Sequence, residues 1–99
     1  MCEFYSPTQN ISCEIDPGTE LCLTWTPPRS ATLMPDGTYT TCSGDTCLSN
    51  AGVGTGTLAY GTSTSNGTFT CVSRTSGMTC TAEGRGYTIS TAGIVPVTT

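Results

Sequence analysis

Two pairs of cysteines share one spacing, Cys-x8-Cys, and that spacing constrains the fold more than anything else in the chain. The pairs are Cys13 with Cys22 and Cys71 with Cys80. The run Arg74-Thr75-Ser76-Gly77 reads as a turn. If its centre lies between Thr75 and Ser76, Cys71 falls opposite Cys80 and Arg74 opposite Gly77. Counting outward, the cysteines occupy a non-hydrogen-bonded pair, where Cα atoms lie about 4.5 Å apart. That distance is within the roughly 4.4–6.8 Å a disulfide accepts. The same counting around Pro17-Gly18 sets Cys13 opposite Cys22. Pro-Gly favours a type II turn, whose twist suits a tight hairpin poorly. A four-residue loop from Asp16 to Thr19 keeps the pairing. Each bridge closes a loop of roughly ten residues and contributes about 2.7 kcal/mol by chain entropy. Net stability for such a domain is only about 5–15 kcal/mol.

Staples are needed because the apolar inventory is thin. The 99 residues make one β domain, 1–99, with residues 1–5 a first strand or arm and 92–99 a tail. Large side chains such as Phe4, Trp25, Leu33, Leu48, Leu58, Phe69, Ile89 and Ile94 are few, and small cores of this kind usually carry cross-links. Disulfides imply an oxidising destination. Yet Met1-Cys2-Glu3-Phe4-Tyr5 shows neither a basic nor an apolar leader region. The expectation is therefore either a mature piece with an added Met or a route out of the cell such as lysis. No stretch reaches the length of a membrane span. The net charge is −4, lysine is absent, and the cations are Arg29, Arg74 and Arg85. This argues against nucleic acid, which is bound through basic side chains, and against an anionic membrane surface.

Strands are expected at Cys2–Tyr5, Ile11–Ile15, Leu21–Thr26, Thr38–Cys42, Thr57–Tyr60 and Tyr87–Ser90, besides the hairpin at Phe69–Thr81. Leu21, Leu23 and Trp25 alternate with Cys22, Thr24 and Thr26 in a period of two. Arg29 to Asp36 reads as a connector, Ala51 to Gly56 as flexible, Gly84-Arg85-Gly86 as a turn, and Ile94-Val95 as a short strand within the tail. Asn66-Gly67 suits a type I′ turn. With no helical period, the class is all-β: a small disulfide-stapled antiparallel sandwich or barrel built from hairpins.

Each chemistry-bearing residue has a plain structural reading. Cys42 and Cys47 lack the histidine or second cysteine pair of a zinc site and read as a third short-loop disulfide. Cys2 is the odd cysteine: a free thiol, a bridge to another chain, or an acylated first residue. Asp45 reads as a turn carboxylate, and Glu14, Asp16 and Glu20 as a solvated face of one hairpin. Histidine and lysine are both absent, so a serine or cysteine nucleophile lacks its usual base. No catalytic residue, metal or cofactor is expected. Trp25, Tyr39, Tyr60 and Tyr87 are candidates for a contact face, although in so thin a core most of them read as interior. Asn10-Ile11-Ser12 and Asn66-Gly67-Thr68 match glycosylation acceptors, the second being better explained by its turn.

The motifs fall in a recognisable order. Ser6-Pro7, Asn10-Ile11-Ser12-Cys13 and Cys22 are followed by Cys42-x-Gly44-Asp45-Thr46 and Leu58-x-Tyr60-Gly61. Then come Cys71-x-Ser73-x3-Gly77-Met78-Thr79-Cys80-Thr81 and Gly84-x-Gly86-Tyr87-x-Ile89-Ser90. This order resembles a small cysteine-rich domain of uncharacterised function from exported proteins and lipoproteins of actinobacteria and from some of their phages. The resemblance covers roughly residues 4–90. The chain departs from the pattern in three ways. The family's further cysteine is missing from the Arg29–Gly37 stretch, which leaves Cys47 as partner for Cys42. Arg85 stands where histidine is common, and the family's usual export signal is not expected from the opening Met1-Cys2-Glu3-Phe4-Tyr5. The resemblance implies a fold and no catalytic residues. The function expected is a non-enzymatic structural or accessory protein on the exterior of an actinophage virion, as capsid decoration or tail accessory. Its partners would be virion proteins, copies of itself or a host surface, and its location the virion surface or extracellular space. The alternative is a secreted or lipid-anchored actinobacterial module that binds a protein or cell-wall glycan.

Overall fold

The computed structural model describes residues 2–47 and 56–98. The chain folds as two meandering sheets laid face to face. The first has β1 (Cys2–Tyr5), β2 (Ile11–Ile15), β3 (Glu20–Thr24), β4 (Arg29–Leu33) and β5 (Tyr39–Ser43), followed by a 3-10 turn at Asp45–Cys47. A two-residue strand, β6 (Gly56–Thr57), adds parallel to β1 and completes the order β5-β4-β3-β2-β1-β6. The second sheet holds β7 (Ser63–Asn66), β8 (Phe69–Arg74), β9 (Gly77–Ala82), β10 (Arg85–Ser90) and β11 (Gly93–Thr98), in the order β11-β10-β9-β8-β7. Every pairing except β1 with β6 is antiparallel.

Both stapled hairpins adopt the register their spacing dictates. Cys13 pairs with Cys22 across a loop closed by a hydrogen bond from Asp16 N–H to Thr19 O. Cys71 pairs with Cys80, and Arg74 with Gly77. Each bridge spans Cα atoms 4.1 Å apart, the close approach of a non-hydrogen-bonded pair. The third bridge joins Cys42 to Cys47 at the outer edge of the first sheet.

The core lies between the sheets. Phe4, Ile11, Ile15, Ala31 and Leu33 from the first sheet meet Phe69, Met78, Ala82, Tyr87 and Ile89 from the second, with the two core disulfides among them. The alternation seen in β3 is real, but its faces are the reverse of what hydrophobicity suggests. Glu20, Cys22 and Thr24 point into the core and are buried. Leu21, Leu23 and Trp25 occupy the outward row, where Leu23 is buried, Leu21 half-buried and Trp25 exposed.

Several boundaries differ from expectation. Arg29–Leu33 is a strand rather than a connector, because Ala31 and Leu33 supply an inward row in register with Cys22 and Glu20. The segment 93–98 is a full edge strand paired along β10, and an edge position tolerates Pro96. The β9–β10 turn is Glu83-Gly84, whose φ values of 53° and 80° are both left-handed, as a type I′ turn requires. Gly86 lies inside β10, where a Cβ would fall 1.9 Å from Cys80 O. Asn66 pairs with Phe69, so the β7–β8 turn is Gly67-Thr68. Beyond Thr57 the chain leaves the ladder, and Tyr60 sits in a turn. The expected flexible stretch 51–56, apart from Gly56, and Leu48 lie outside the described residues, as do the side chains of Cys2 and Asp45.

Candidate functional site

The most unusual chemistry is in the centre of the core. The two hairpin disulfides face each other across the sandwich, with Cys22 Sγ 3.6 Å from Cys80 Sγ. Beside them lies Glu20, fully buried. This corrects the sequence reading of Glu20 as part of a solvated face: in β3 it shares the inward row with Cys22. Tyr87 donates a hydrogen bond of 2.5 Å to Glu20 Oε1. The other carboxyl oxygen, Oε2, lies 2.9 Å from Cys22 Sγ. A disulfide sulfur has no proton to give, so the carboxyl O–H is the donor and the sulfur the acceptor.

Energetics agree with this assignment. Burial pushes the Glu20 carboxyl up to about 8, and the hydrogen bond from Tyr87 only partly offsets it. Removing an ionised carboxylate from water is costly, and here no cation repays it. At neutral pH Glu20 is therefore a neutral acid whose oxygens are both engaged. Burial, then the nearby Glu20 carboxylate, then the hydrogen bond to it, push the Tyr87 hydroxyl well above its usual range.

This cluster brings the donor atoms of Cys13, Glu20, Cys22 and Cys80 within 4.8 Å of one another. The set does not suit a metal, because all three cysteines are tied in disulfides and ligation needs free thiolates. The site is also closed, with all four residues fully buried. A raised acid in a cleft would invite a catalytic reading; Glu20 and Tyr87 are instead both fully buried. The cluster joins the two sheets through the Tyr87–Glu20 hydrogen bond and the Cys22–Cys80 sulfur contact.

The four aromatic residues expected on a contact face do not share one. Tyr87 is fully buried at the centre of the core. Tyr39 is half-buried, its ring 5.4 Å from that of Tyr87. Only Trp25 and Tyr60 are exposed. The physical reason is scarcity: with few large side chains, the sandwich draws its tyrosines inward.

The surface is organised by arginines at opposite ends. Arg29 Nη1 donates to Thr91 O, tying β4 to the β10–β11 turn. Arg85 Nε donates to Asp36 O, tying β10 to the β4–β5 turn. Asp36 itself accepts from the Thr38 hydroxyl (2.6 Å) and backbone N–H (3.0 Å), which hold its carboxyl below the usual range. A shallow groove at the Arg85 end runs past Tyr39 and Pro96. At the Arg29 end lies a depression of about 310 Å³ lined by Thr8, Tyr60, Arg74, Ser76 and Thr91 among others. Beyond its backbone pairing with Gly77, Arg74 has a guanidinium that makes no hydrogen bond or ion pair with the described residues. Sequence reasoning singled out Tyr60 but not Arg74 or the hydroxyls beside it, because loops from both sheets assemble them.

Comparison with family models, curated proteins and solved structures yields no match. The geometry and the sequence motifs therefore carry the functional argument.

Proposed function

We propose that this chain is a non-enzymatic accessory module working in an oxidising space outside the cytoplasm, as a component of the exterior of an actinophage particle on its capsid or tail. The observation that carries the reading is the core itself. Its centre is occupied by two disulfides in contact and a neutral acid, all closed to solvent. Such an interior locks a small fold and offers no chemistry to a substrate. The order of sequence motifs, which resembles that of the actinobacterial and phage domain, is the support for the biological setting. The surface is rich in threonine and serine, as in the exposed strands Tyr39–Ser43 and Ser63–Asn66, which suits contact rather than turnover. The test is mass spectrometry of particles banded on a density gradient from the native source. Co-banding with a capsid or tail protein in fixed stoichiometry is the expected result; absence from the particles overturns it.

A second reading has its own supporting observation. The depression containing Tyr60 and the unengaged Arg74 favours an exported or lipid-anchored module that binds a cell-wall glycan. Recovery of the chain in the medium or the membrane fraction, with an acylated Cys2, would select it.

A further inference from the structure

We propose that the depression at the Arg29 end is a binding site for an acidic saccharide, with Arg74 taking the carboxylate and Tyr60 the face of the sugar ring. This deepens the glycan-binding reading and rests on it.

Charge supplies the first argument. The chain carries a net −4 and three cations. Arg29 and Arg85 are engaged in clamping the sheets through backbone carbonyls. Arg74 is exposed, its guanidinium has no partner among the described residues, and the residue lines the depression. A guanidinium left free in an acidic protein offers a planar, two-pronged match to a carboxylate.

The second argument is the company Arg74 keeps. Tyr60 is 46% exposed and lines the same depression. An exposed aromatic face with an apolar body and a polar tip is suited to the C–H face of a sugar. Thr8, Ser76 and Thr91 are among the other lining residues, and residues of this type carry hydroxyls that can donate or accept toward sugar hydroxyls. The volume is at the small end for a ligand pocket, which fits one or two sugar rings rather than a folded partner.

The third argument is preorganisation. Gly61 N–H bonds to Ser73 O at 2.8 Å, and Ser73 N–H to Thr62 O at 2.9 Å. These bonds fasten the Tyr60 turn to β8 directly beside Arg74, so ring and cation are positioned before any ligand arrives. On the opposite wall, Ser6 Oγ accepts from Ile11 N–H at 3.1 Å and contacts Thr8 Oγ1 at 3.2 Å, which fixes that loop. Little ordering remains for a ligand to impose.

The experiment is a titration of the ¹⁵N-labelled, disulfide-intact protein with a trigalacturonic acid probe. Maltotriose serves as the neutral control and sodium acetate as the simple-anion control. The expected result is saturable shifts confined to Tyr60, Arg74–Gly77 and Thr91, with binding at least tenfold weaker for maltotriose. Arg74→Gln and Tyr60→Ala should each weaken binding tenfold or more while leaving the remaining spectrum in place, both residues being exposed. Shifts elsewhere, no shifts, equal response to maltotriose, equal response to acetate, or undiminished binding by Arg74→Gln would each overturn the proposal. Localisation separates this failure from that of the broader reading. A chain found on cell envelopes that ignores trigalacturonic acid refutes the ligand class alone, whereas a chain absent from envelopes refutes the glycan-binding reading itself.

Discussion

Replacing Glu20 by glutamine should make the domain less stable in mild acid and more stable at neutral to alkaline pH. The folded carboxyl titrates at about 8, against 4.5 for the free side chain. Below 4.5 both states hold the proton, and Glu20 adds no pH dependence. Between 4.5 and 8 the folded chain keeps a proton that the unfolded chain has released. Stability then falls by about 1.4 kcal/mol per pH unit. Above 8 the folded state also ionises, and the loss levels off at roughly 5 kcal/mol. Glutamine has no proton to exchange. It keeps the shape and the acceptor for Tyr87, but it buries an extra N–H without a partner, a cost of about 1 kcal/mol. The wild type should therefore lead by about 1 kcal/mol in mild acid, and the curves should cross near about pH 5–6. By about pH 8 the variant should lead by roughly 3–4 kcal/mol. Chemical unfolding with disulfides intact, across this range, measures both curves. Their difference cancels other titrating groups, such as Glu14, which is raised by partial burial and then by Asp16 and Glu3. Parallel curves would refute the assignment of Glu20 as a neutral core acid.

Three further outcomes follow from the same structure. Ser73→Ala should leave stability unchanged or raise it by up to about 1 kcal/mol, since the Ser73 hydroxyl is buried without a partner among the described residues; thermal unfolding would show it, and a clear loss would mean the hydroxyl is satisfied. Gly86→Ala should cost about 3 kcal/mol or more, because its Cβ would meet the Cys80 carbonyl at 1.9 Å; a near-neutral variant in the same assay would contradict the close packing of β10 on β9. Removing Cys71 and Cys80 together as alanines should cost about 4 kcal/mol, the chain-entropy term plus the space left in the core, against about 2 kcal/mol for the Cys42 and Cys47 pair, which is exposed at Cys42 and half-buried at Cys47. Equal losses in denaturant unfolding would show that the core position of the first pair adds nothing.

The two hairpins were legible because disulfide geometry and turn counting are local: with Cys71 and Cys80 placed, the partners of Thr70 to Arg74 followed. The stapled all-β class was legible for the same reason. What escaped was set by the second sheet. Nothing around Glu20 announces burial; its position is decided by Cys22 two residues on, which must face Cys80 across the core. Leu21 and Leu23 lost the inward row to that requirement. Arg29–Leu33 looked like a connector because it is short and flanked by prolines, yet β3 and β5 both need it as a ladder partner. The depression was invisible for a related reason: Thr8, Tyr60, Arg74 and Thr91 are distant in sequence and meet only where loops of both sheets converge.

The most direct test of the account is the state of the cysteines in the protein as its source makes it. Thiols would be alkylated in the intact sample, and the chain then mapped by non-reducing peptide mass spectrometry. The account requires Cys13–Cys22, Cys42–Cys47 and Cys71–Cys80 to be oxidised, in chain recovered outside the cytoplasm, with only Cys2 open to alkylation. A chain recovered from the cytoplasm with Cys13, Cys22, Cys71 and Cys80 alkylated would contradict both the locked core and the exterior role built on it.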